Sequence, residues 1–280
     1  TSLSTSPVYL VKRDRSWEKL KFNYSNFGIN NIIGDILPTS LGQIWLLMEK
    51  NGIFVFTYEN NSVRREKAIK IMNQEGEALE NVYSIAEDKE GNIWVGTNKG
   101  PAIFYNPGDI FEDENPIGYQ IKIPRNDGTN NADILLSTAR IKAIAVDGGN
   151  RKWLGTENSG VFLVSADGKE EIHHFTAENS PLLSNNIATI AINHKNGEVF
   201  FGTDKGICSY RGQSTEGNDD FSKVYVFPNP VRENYLGDIT ITGLVDNVNV
   251  KITDVSGNLV YETKALGGQA TWDGRNFRGQ

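Results

Sequence analysis

The chain has 280 residues, 28 basic and 35 acidic, for a net charge of −7. That length allows one large or two medium domains with a buried core, and no run of 18 apolar residues is present to cross a membrane as a helix. Positions 223–280 carry six residues of each sign, so the deficit lies in the first 222, and an acidic body without a Lys/Arg cluster argues against nucleic acid.

The first strands read from the sequence are Pro7–Asp14 and Trp17–Phe22, which look like only the third and fourth strands of a repeat unit. The opening residues Thr1-Ser2-Leu3-Ser4 lack the basic start and apolar run of a signal peptide. The chain therefore reads as mature or as a piece of something longer. Four fuller units follow. Each begins with an alternating run of small and apolar residues: Asn31–Leu37, Val82–Asp88, Ile141–Asp147 and Ile187–Ile192. Period-two spacing of this kind suits a crowded innermost strand. A second strand then carries a central aromatic (Trp45, Trp94, Trp153, Phe200), at intervals of 49, 59 and 47 residues. The alternation points this aromatic inward as a wedge between units, rather than outward as a sugar-stacking platform.

Gly96, Gly155 and Gly202, each followed by threonine, lie inside the second strand, where a missing side chain admits a neighbouring unit. A third strand starts at Gly52, Gly100, Gly160 and Gly206, and a more polar outer strand follows, as at Arg65–Ile71, Tyr119–Ile123 and Glu171–Phe175. A strand-rich period of about 40–50 residues is the signature of propeller blades of four strands. The fold class is thus all-β, with about four and a half four-stranded blades over residues 1–212. That number suggests part of a larger ring more than a small ring closed by its own first strands.

Residues 213–222, polar and almost free of apolar side chains, read as a linker. From 223 to 280 the repeat stops. Val224–Val231, Asp238–Leu244, Val248–Thr253, Leu259–Thr263 and Gln269–Trp272 read as short strands of an immunoglobulin-like β-sandwich that lacks its last strand or strands.

Chemistry-bearing motifs are scarce. Cys208, the single cysteine, excludes an intrachain disulfide and reads as a small core residue. The lack of disulfides fits cytosol and fits exported bacterial proteins with large β cores. His173 and His174 are adjacent in a strand and face opposite ways, and His194 lies in a turn. The runs beginning at Asp88 and Asp254 lack the alternating acidic ligands of a calcium loop and read as Asx turns. The acidic cluster Glu112, Asp113 and Glu114 reads as solvated charge on a long insertion. No metal, cofactor or catalytic residue is assigned, and the chain is expected not to be an enzyme. The one candidate binding surface is the rim formed by the turns between second and third strands, carrying Glu49, Lys50, Asn98, Lys99, Glu157, Asn158, Asp204 and Lys205. Convergent polar groups there suit a glycan or peptide, and simple solvated turns are the plainer alternative.

The runs Ala86-x-Asp88-x-x-Gly91-Asn92-Ile93-Trp94-Val95-Gly96-Thr97 and Asn150–Thr156 resemble the two-component regulator propeller repeat; unit one lacks the Gly-Thr pair and unit four has Phe200 for tryptophan. Val226–Val231, Val250–Val260, Trp272–Asn276, Leu244–Val248 and Leu266–Ala270 resemble the C-terminal sorting sandwich of the type IX (Por) secretion system. Together they resemble the PorZ-type protein family of that system. The resemblance implies an exported protein at the outer-membrane surface or periplasm of a Gram-negative bacterium of the Bacteroidetes. It further implies lipopolysaccharide or another glycan as ligand, and a sortase-like peptidase or other secretion-system protein as partner. The propeller repeat alone is also compatible with an extracytoplasmic ligand-sensing domain of a hybrid two-component sensor.

Overall fold

The computed structural model describes residues 8–22, 33–48, 52–276 and 278–279. Pro7, Asn31, Ile32, Glu49, Lys50 and Asn51, which the sequence places in strands or on the rim, lie outside the described residues. The alternating runs form antiparallel sheets. Unit one pairs Ile33–Pro38, Gln43–Met48, Gly52–Glu59 and Ser62–Ile69 in that order. Unit two pairs Val82–Glu87, Ile93–Thr97, Gly100–Phe104 and Tyr119–Gln120. Unit three pairs Ile141–Val146, Lys152–Thr156, Val161–Val164 and Glu171–Phe175. Before them stands the hairpin of Tyr9–Val11 and Trp17–Lys19.

Two expectations need correction. Among the described residues unit four has three strands, not four: Ile187–Asn193, Glu198–Thr203 and Gly206–Arg211. After Arg211 the chain does not double back. The Gly212 N–H donates to the Gly197 carbonyl at 2.9 Å and the chain leaves towards the sandwich. The outer strand of unit two is also shorter than read. Only Tyr119–Gln120 belongs to the blade, because Ile121 turns into the core and Lys122–Pro124 pairs instead with Ala132–Ile134.

Four apolar clusters join successive sheets in series, and each is built on a second-strand aromatic or its opposite face. Trp45 packs with Ile85, Ile93, Val95 and Phe104 of unit two. Trp94 packs with Ile141, Leu154 and Phe162 of unit three. Trp153 packs with Ile187, Val199 and Phe201 of unit four. The far face of unit one, Leu46, Met48, Phe54 and Phe56, is covered by Leu10 and Leu20 of the opening hairpin. No cluster among the described residues joins unit four back to that hairpin, so the sheets form an open arc, a partial propeller. Truncating any of these indoles would cost about 3–5 kcal/mol. Phe200 breaks the series. It is 36% exposed and does not act as a wedge here, since among the described residues no sheet packs on that side of unit four. Its strand neighbours Val199 and Phe201 carry the packing on unit three.

Gly155 shows why the second strand needs a glycine. A Cβ there would stand 2.6 Å from Cγ2 of Ile187, the first residue of the next unit's inner strand. Gly96 meets Ile141 of unit three in the same way, whereas Gly202 faces only Thr189 of its own sheet. The close approach of a neighbour is therefore real at the first two and missing at the third.

Polar groups are buried along with the indoles. Asp88 closes its own turn, accepting the Glu90 and Asn92 N–H groups on Oδ1 at 2.9 Å each. Its Oδ2 accepts Trp94 Nε1 at 3.0 Å and lies 3.0 Å from Lys152 Nζ of unit three. Lys152 is fully buried, donates to the Ala166 carbonyl at 2.6 Å and sits 4.7 Å over the Trp94 ring. Burial works to raise the Asp88 carboxyl, but the Lys152 charge and the hydrogen bonds from Lys152, Trp94 and Asn92 outweigh it and hold it below its ordinary value. On Lys152 burial prevails over Asp88 and holds the ammonium low. In unit three the equivalent Asp147 is taken by Arg151, Nε at 2.8 Å, and the Trp153 Nε1 is left without a partner.

The acidic residues Glu112, Asp113 and Glu114 of the insertion after Phe104 are exposed, as read, but the insertion itself is anchored. Glu112 pairs with Arg65, Lys67 donates to the Ile110 carbonyl at 3.0 Å, and Ile110 is buried between units one and two. The insertion thus straps onto the outer strand of unit one.

The C-terminal sandwich sets Tyr225–Phe227, Ile239–Thr242 and Gln269–Trp272 against Asn249–Thr253 and Leu259–Lys264, over a small core of Ile241, Leu244, Ala265 and Ala270. The connecting segment is not solvated throughout. Ser214 and Thr215 are buried. Gly149 N–H donates to Ser214 Oγ at 2.6 Å, Glu216 N–H to the His194 carbonyl at 2.9 Å, and Gly268 N–H to the Thr215 carbonyl at 2.9 Å. A Cβ on Gly267 would collide with the Thr215 and Gly148 backbone. Lys89 of unit two reaches Asp246 at 2.8 Å. The two phrases that suggested a sorting sandwich, Leu244–Val248 and Leu266–Ala270, hold the residues that seat it on the blades.

Removing Asp88 strands a buried ammonium, so Asp88→Ala is expected to cost about 3–5 kcal/mol in urea unfolding, while the pair Asp88→Asn with Lys152→Met recovers most of it. Because the folded carboxyl is held below its unfolded value near 3.9, its contribution is present above about pH 4 and is lost as pH falls through the folded pKa. The gap between wild type and Asp88→Asn should narrow over that range. In unit three Arg151→Asn recreates the unit-two pattern and frees Asp147 for Trp153; it should stay within about 1 kcal/mol of wild type, whereas Arg151→Ala should lose about 3 kcal/mol.

Candidate rim cleft

The turns from second to third strand share a local construction. The threonine of each Gly-Thr pair folds its hydroxyl back onto the glycine that opens the third strand. Thr97 Oγ1 donates to the Gly100 carbonyl at 2.7 Å, Thr156 to Gly160 at 2.8 Å and Thr203 to Gly206 at 2.8 Å. The same oxygens accept the N–H groups of Lys99, Ser159 and Lys205. This hydroxyl clasp holds the turn backbone. The Gly-Thr spacing contained that signal, but the sequence reading assigned a role only to the glycine.

Adjacent turns meet through the crossover before unit three. Gly100 N–H donates to the Ala139 carbonyl and Glu157 N–H to the Arg140 carbonyl, both at 3.1 Å. Between crossover and turn lies a polar cleft of 420 Å³ walled by Thr138, Arg140, Thr156, Glu157, Asn158 and Ser159. Arg140 Nη1 donates to Glu157 Oε2 at 2.9 Å, and both side chains are partly open to solvent. Of the rim residues predicted from sequence, Glu157 and Asn158 line this cleft. Asn98 and Lys99 stand on the neighbouring turn. The Lys99 ammonium lies 3.7 Å from Glu77, and Asn98 Oδ1 is buried without a partner. Asp204 and Lys205 sit on their own exposed turn outside the cleft. Arg140 and Thr138, which the sequence reading passed over, supply two of the walls; Arg140 directly precedes the inner strand Ile141–Val146, the one signal of its place.

Hydroxyls, an amide and one ion pair form most of the wall, with Ala139 the one apolar side chain. Such a wall offers donors and acceptors to a polyhydroxylated ligand, and the guanidinium can exchange Glu157 for an anionic group in bidentate fashion. Elsewhere His173, His174 and the turn aspartate Asp254 have partners of their own. His174 stacks on Phe162 at 3.8 Å and donates to the Ser159 carbonyl, while His173, on the opposite face, stacks on Phe175. Asp254 closes its turn on Ser256 and Asn258, as Asp88 does. Among the described residues no three His, Cys, Asp or Glu side chains converge as a metal site, and no helix is long and apolar enough to cross a membrane.

The pattern of the two component regulator propeller matches residues 76–99, which hold the inner and second strands of unit two. No curated protein matches the chain. Among solved structures it is similar to PorZ of Porphyromonas gingivalis, described as an essential bacterial surface component of the type-IX secretion system, with 27% identity and a TM-score of 0.65. That likeness covers 95% of this chain and 37% of PorZ, so the chain spans little more than a third of its relative. It is also similar to the extracellular domain of BT4673 from B. thetaiotaomicron, described as part of a hybrid two component system. There the identity is 18%, the TM-score 0.53, and the coverage 92% of this chain and 33% of that one. At that identity the second likeness speaks for the fold alone.

Thr156 is fully buried and makes two bonds that close its turn, so Thr156→Val should lower unfolding stability by about 1–3 kcal/mol. The Arg140–Glu157 pair is half in solvent, and Arg140→Ala should leave stability within about 1 kcal/mol in the same measurement.

Proposed function

We infer that this chain belongs to a non-enzymatic exported scaffold of the PorZ kind, acting at the cell surface in type IX secretion. The rim cleft takes an anionic saccharide such as the glycan of a lipopolysaccharide, and the seated sandwich offers a surface to a partner protein of the secretion machinery, such as a sortase-like peptidase. The observation that carries the reading is the 27% identity to PorZ over 95% of the chain, a span that includes blades, connecting segment and sandwich together. The composition of the cleft supports the ligand class. It is polar apart from Ala139, its size falls in the usual range of roughly 300–1,000 Å³ for small-molecule sites, and its one cation, Arg140, is half in solvent.

A sensor role has one observation in its favour, the repeat matched at residues 76–99, which is described as a two component regulator propeller. The same repeat geometry serves either role, so the ligand decides between them.

The test is retention of purified lipopolysaccharide bearing a phosphorylated glycan by the immobilised chain. Wild type should retain it, and Arg140→Ala should weaken binding about tenfold, the loss of one charge-assisted contact of ~1.4 kcal/mol. Equal retention by wild type and Arg140→Ala would remove the cleft from the reading, and no retention by either would remove the glycan.

A further inference from the structure

The insertion that straps unit two to unit one also encloses a small open cavity of 110 Å³, whose wall includes Phe104, Tyr105, Asn106, Asp113, Pro116 and Tyr119. The whole wall comes from the continuous segment 104–119, on a unit that has a described blade packed on each face. The segment is held in shape from outside. Gln43 Nε2 donates to the Pro107 carbonyl at 2.8 Å, and Lys67 donates to the carbonyls of Ile110 and Asp113.

Two tyrosines stand open in that wall. The Tyr105 and Tyr119 rings are 50% and 43% exposed, with centroids 5.6 Å apart and planes tilted by 51°. Burial, and after it the charges of Asp167 and Asp88, hold the Tyr105 phenol above its ordinary value, so its hydroxyl remains a donor. Beside the rings, Asn106 makes no cap bond to the short helical turn Pro107–Asp109 that it precedes. Asp113 is exposed and accepts the Asn115 N–H on Oδ1 at 3.0 Å.

The backbone next to the cavity is closed. At the outer edge of the blade Gln74 Oε1 accepts the Gln120 N–H at 2.9 Å, and Gln74 Nε2 donates to the Gln120 carbonyl at 3.1 Å. Gly118 N–H donates to the Met72 carbonyl at 2.9 Å. An extended polypeptide therefore meets no free ladder there, whether it belongs to this chain or to another. Ring faces, an amide and a carboxylate are what stay open.

We propose that this cavity is a saccharide site distinct from the rim cleft, taking one pyranose ring of a neutral glycan on the faces of Tyr105 and Tyr119. Asn106 and Asp113 bond its hydroxyls. A pyranose has faces of C–H groups and a rim of hydroxyls, so aromatic rings flanked by an amide and a carboxylate match both. Charge sets the class. Segment 104–119 carries Asp109, Glu112, Asp113 and Glu114 and no basic residue. The two cations that reach it, Arg65 and Lys67, are engaged by Glu112 and by backbone carbonyls. An anionic ring is repelled here, whereas the rim cleft attracts one. The two sites stand at opposite ends of the third strands, since Gly100 opens Gly100–Phe104 at the rim and Phe104 closes it at the cavity.

The probes are four neutral tetrasaccharides, built of glucose, mannose, galactose and N-acetylglucosamine. Each is titrated into the 280-residue chain carrying ring-labelled tyrosine and followed by NMR. At least one should bind with a millimolar Kd or tighter and shift the ring signals of Tyr105 and Tyr119. Tyr105→Ala and Tyr119→Ala should each weaken that binding about tenfold, whereas Tyr119→Phe, which keeps the ring, should hold it within about threefold. Both tyrosines are exposed, so the alanine variants should keep the wild-type melting temperature. A phosphorylated form of the same sugar should bind about tenfold more weakly than the neutral parent, and Asp113→Asn should narrow that gap. Arg140→Ala should leave the neutral sugar unaffected.

Failure of all four sugars to bind at millimolar concentration would overturn the proposal. So would binding that survives Tyr105→Ala, binding lost in Arg140→Ala, or tighter binding of the phosphorylated form. None of these results bears on retention of an anionic glycan by the rim cleft, which is read with Arg140→Ala alone.

Discussion

Each sheet of this chain has two faces, and one of them is finished only by the next sheet. Trp45, Trp94 and Trp153 are fully buried because a following inner strand closes over them. For Trp94 and Trp153 that closure goes with a residue, 96 or 155, two places along the same strand, that has no side chain to hold the neighbour off. In those two units burial of the indole and the close approach of the next sheet are one constraint seen from two sides, whereas unit one buries Trp45 with Leu47 in that place and packs both into the same cluster. In a stacked architecture of this kind stability is a sum of unit and interface terms. The end of the series shows the same rule in reverse. Phe200, in the tryptophan position but with no described sheet packed against it, is left partly in water, and Gly202 meets only its own sheet.

The apolar scheme is more regular than the polar one laid within it. Unit two satisfies its indole N–H with Asp88, and a lysine from the next blade balances the charge. Unit one uses Gln43, which accepts from Trp45 Nε1 at 2.9 Å and donates onward to the Pro107 carbonyl at 2.8 Å, so the strap that follows unit two is tied into the same turn. Unit three gives its aspartate to Arg151 and leaves Trp153 without a partner. Interdigitated packing tolerates little change in shape, whereas a buried donor can find its acceptor in several ways, and this chain uses a different one in each unit.

The strands and the wedges were legible because both depend on local periodicity: an alternating run, an aromatic, a glycine two residues on. The missing fourth strand of unit four was not, since its absence depends on where the chain goes after Gly212 rather than on the composition of the strands before it. The same holds for the connecting segment. Ser214, Thr215 and Gly217 read as polar spacer, yet the first two are buried, because their hydroxyls and carbonyls meet partners more than 45 residues away in sequence. At the rim, periodicity placed Glu157 and Asn158 correctly on the turn that lines the cleft but could not show Arg140, which enters from the crossover. Asp204 and Lys205 have the same place in the repeat as Glu157 and Asn158 and line nothing comparable, because the wall opposite them would have to come from a following unit.

The double glycine at 267–268 lets the sandwich backbone lie directly on that of Thr215 and Gly148, with no side chain between them to act as a bearing. Two bodies joined in this way cannot swivel like beads on a string. A tug on the sandwich loads the third and fourth sheets at once, and anything gripped at both places is held at a fixed distance and angle, as in the jaws of a caliper.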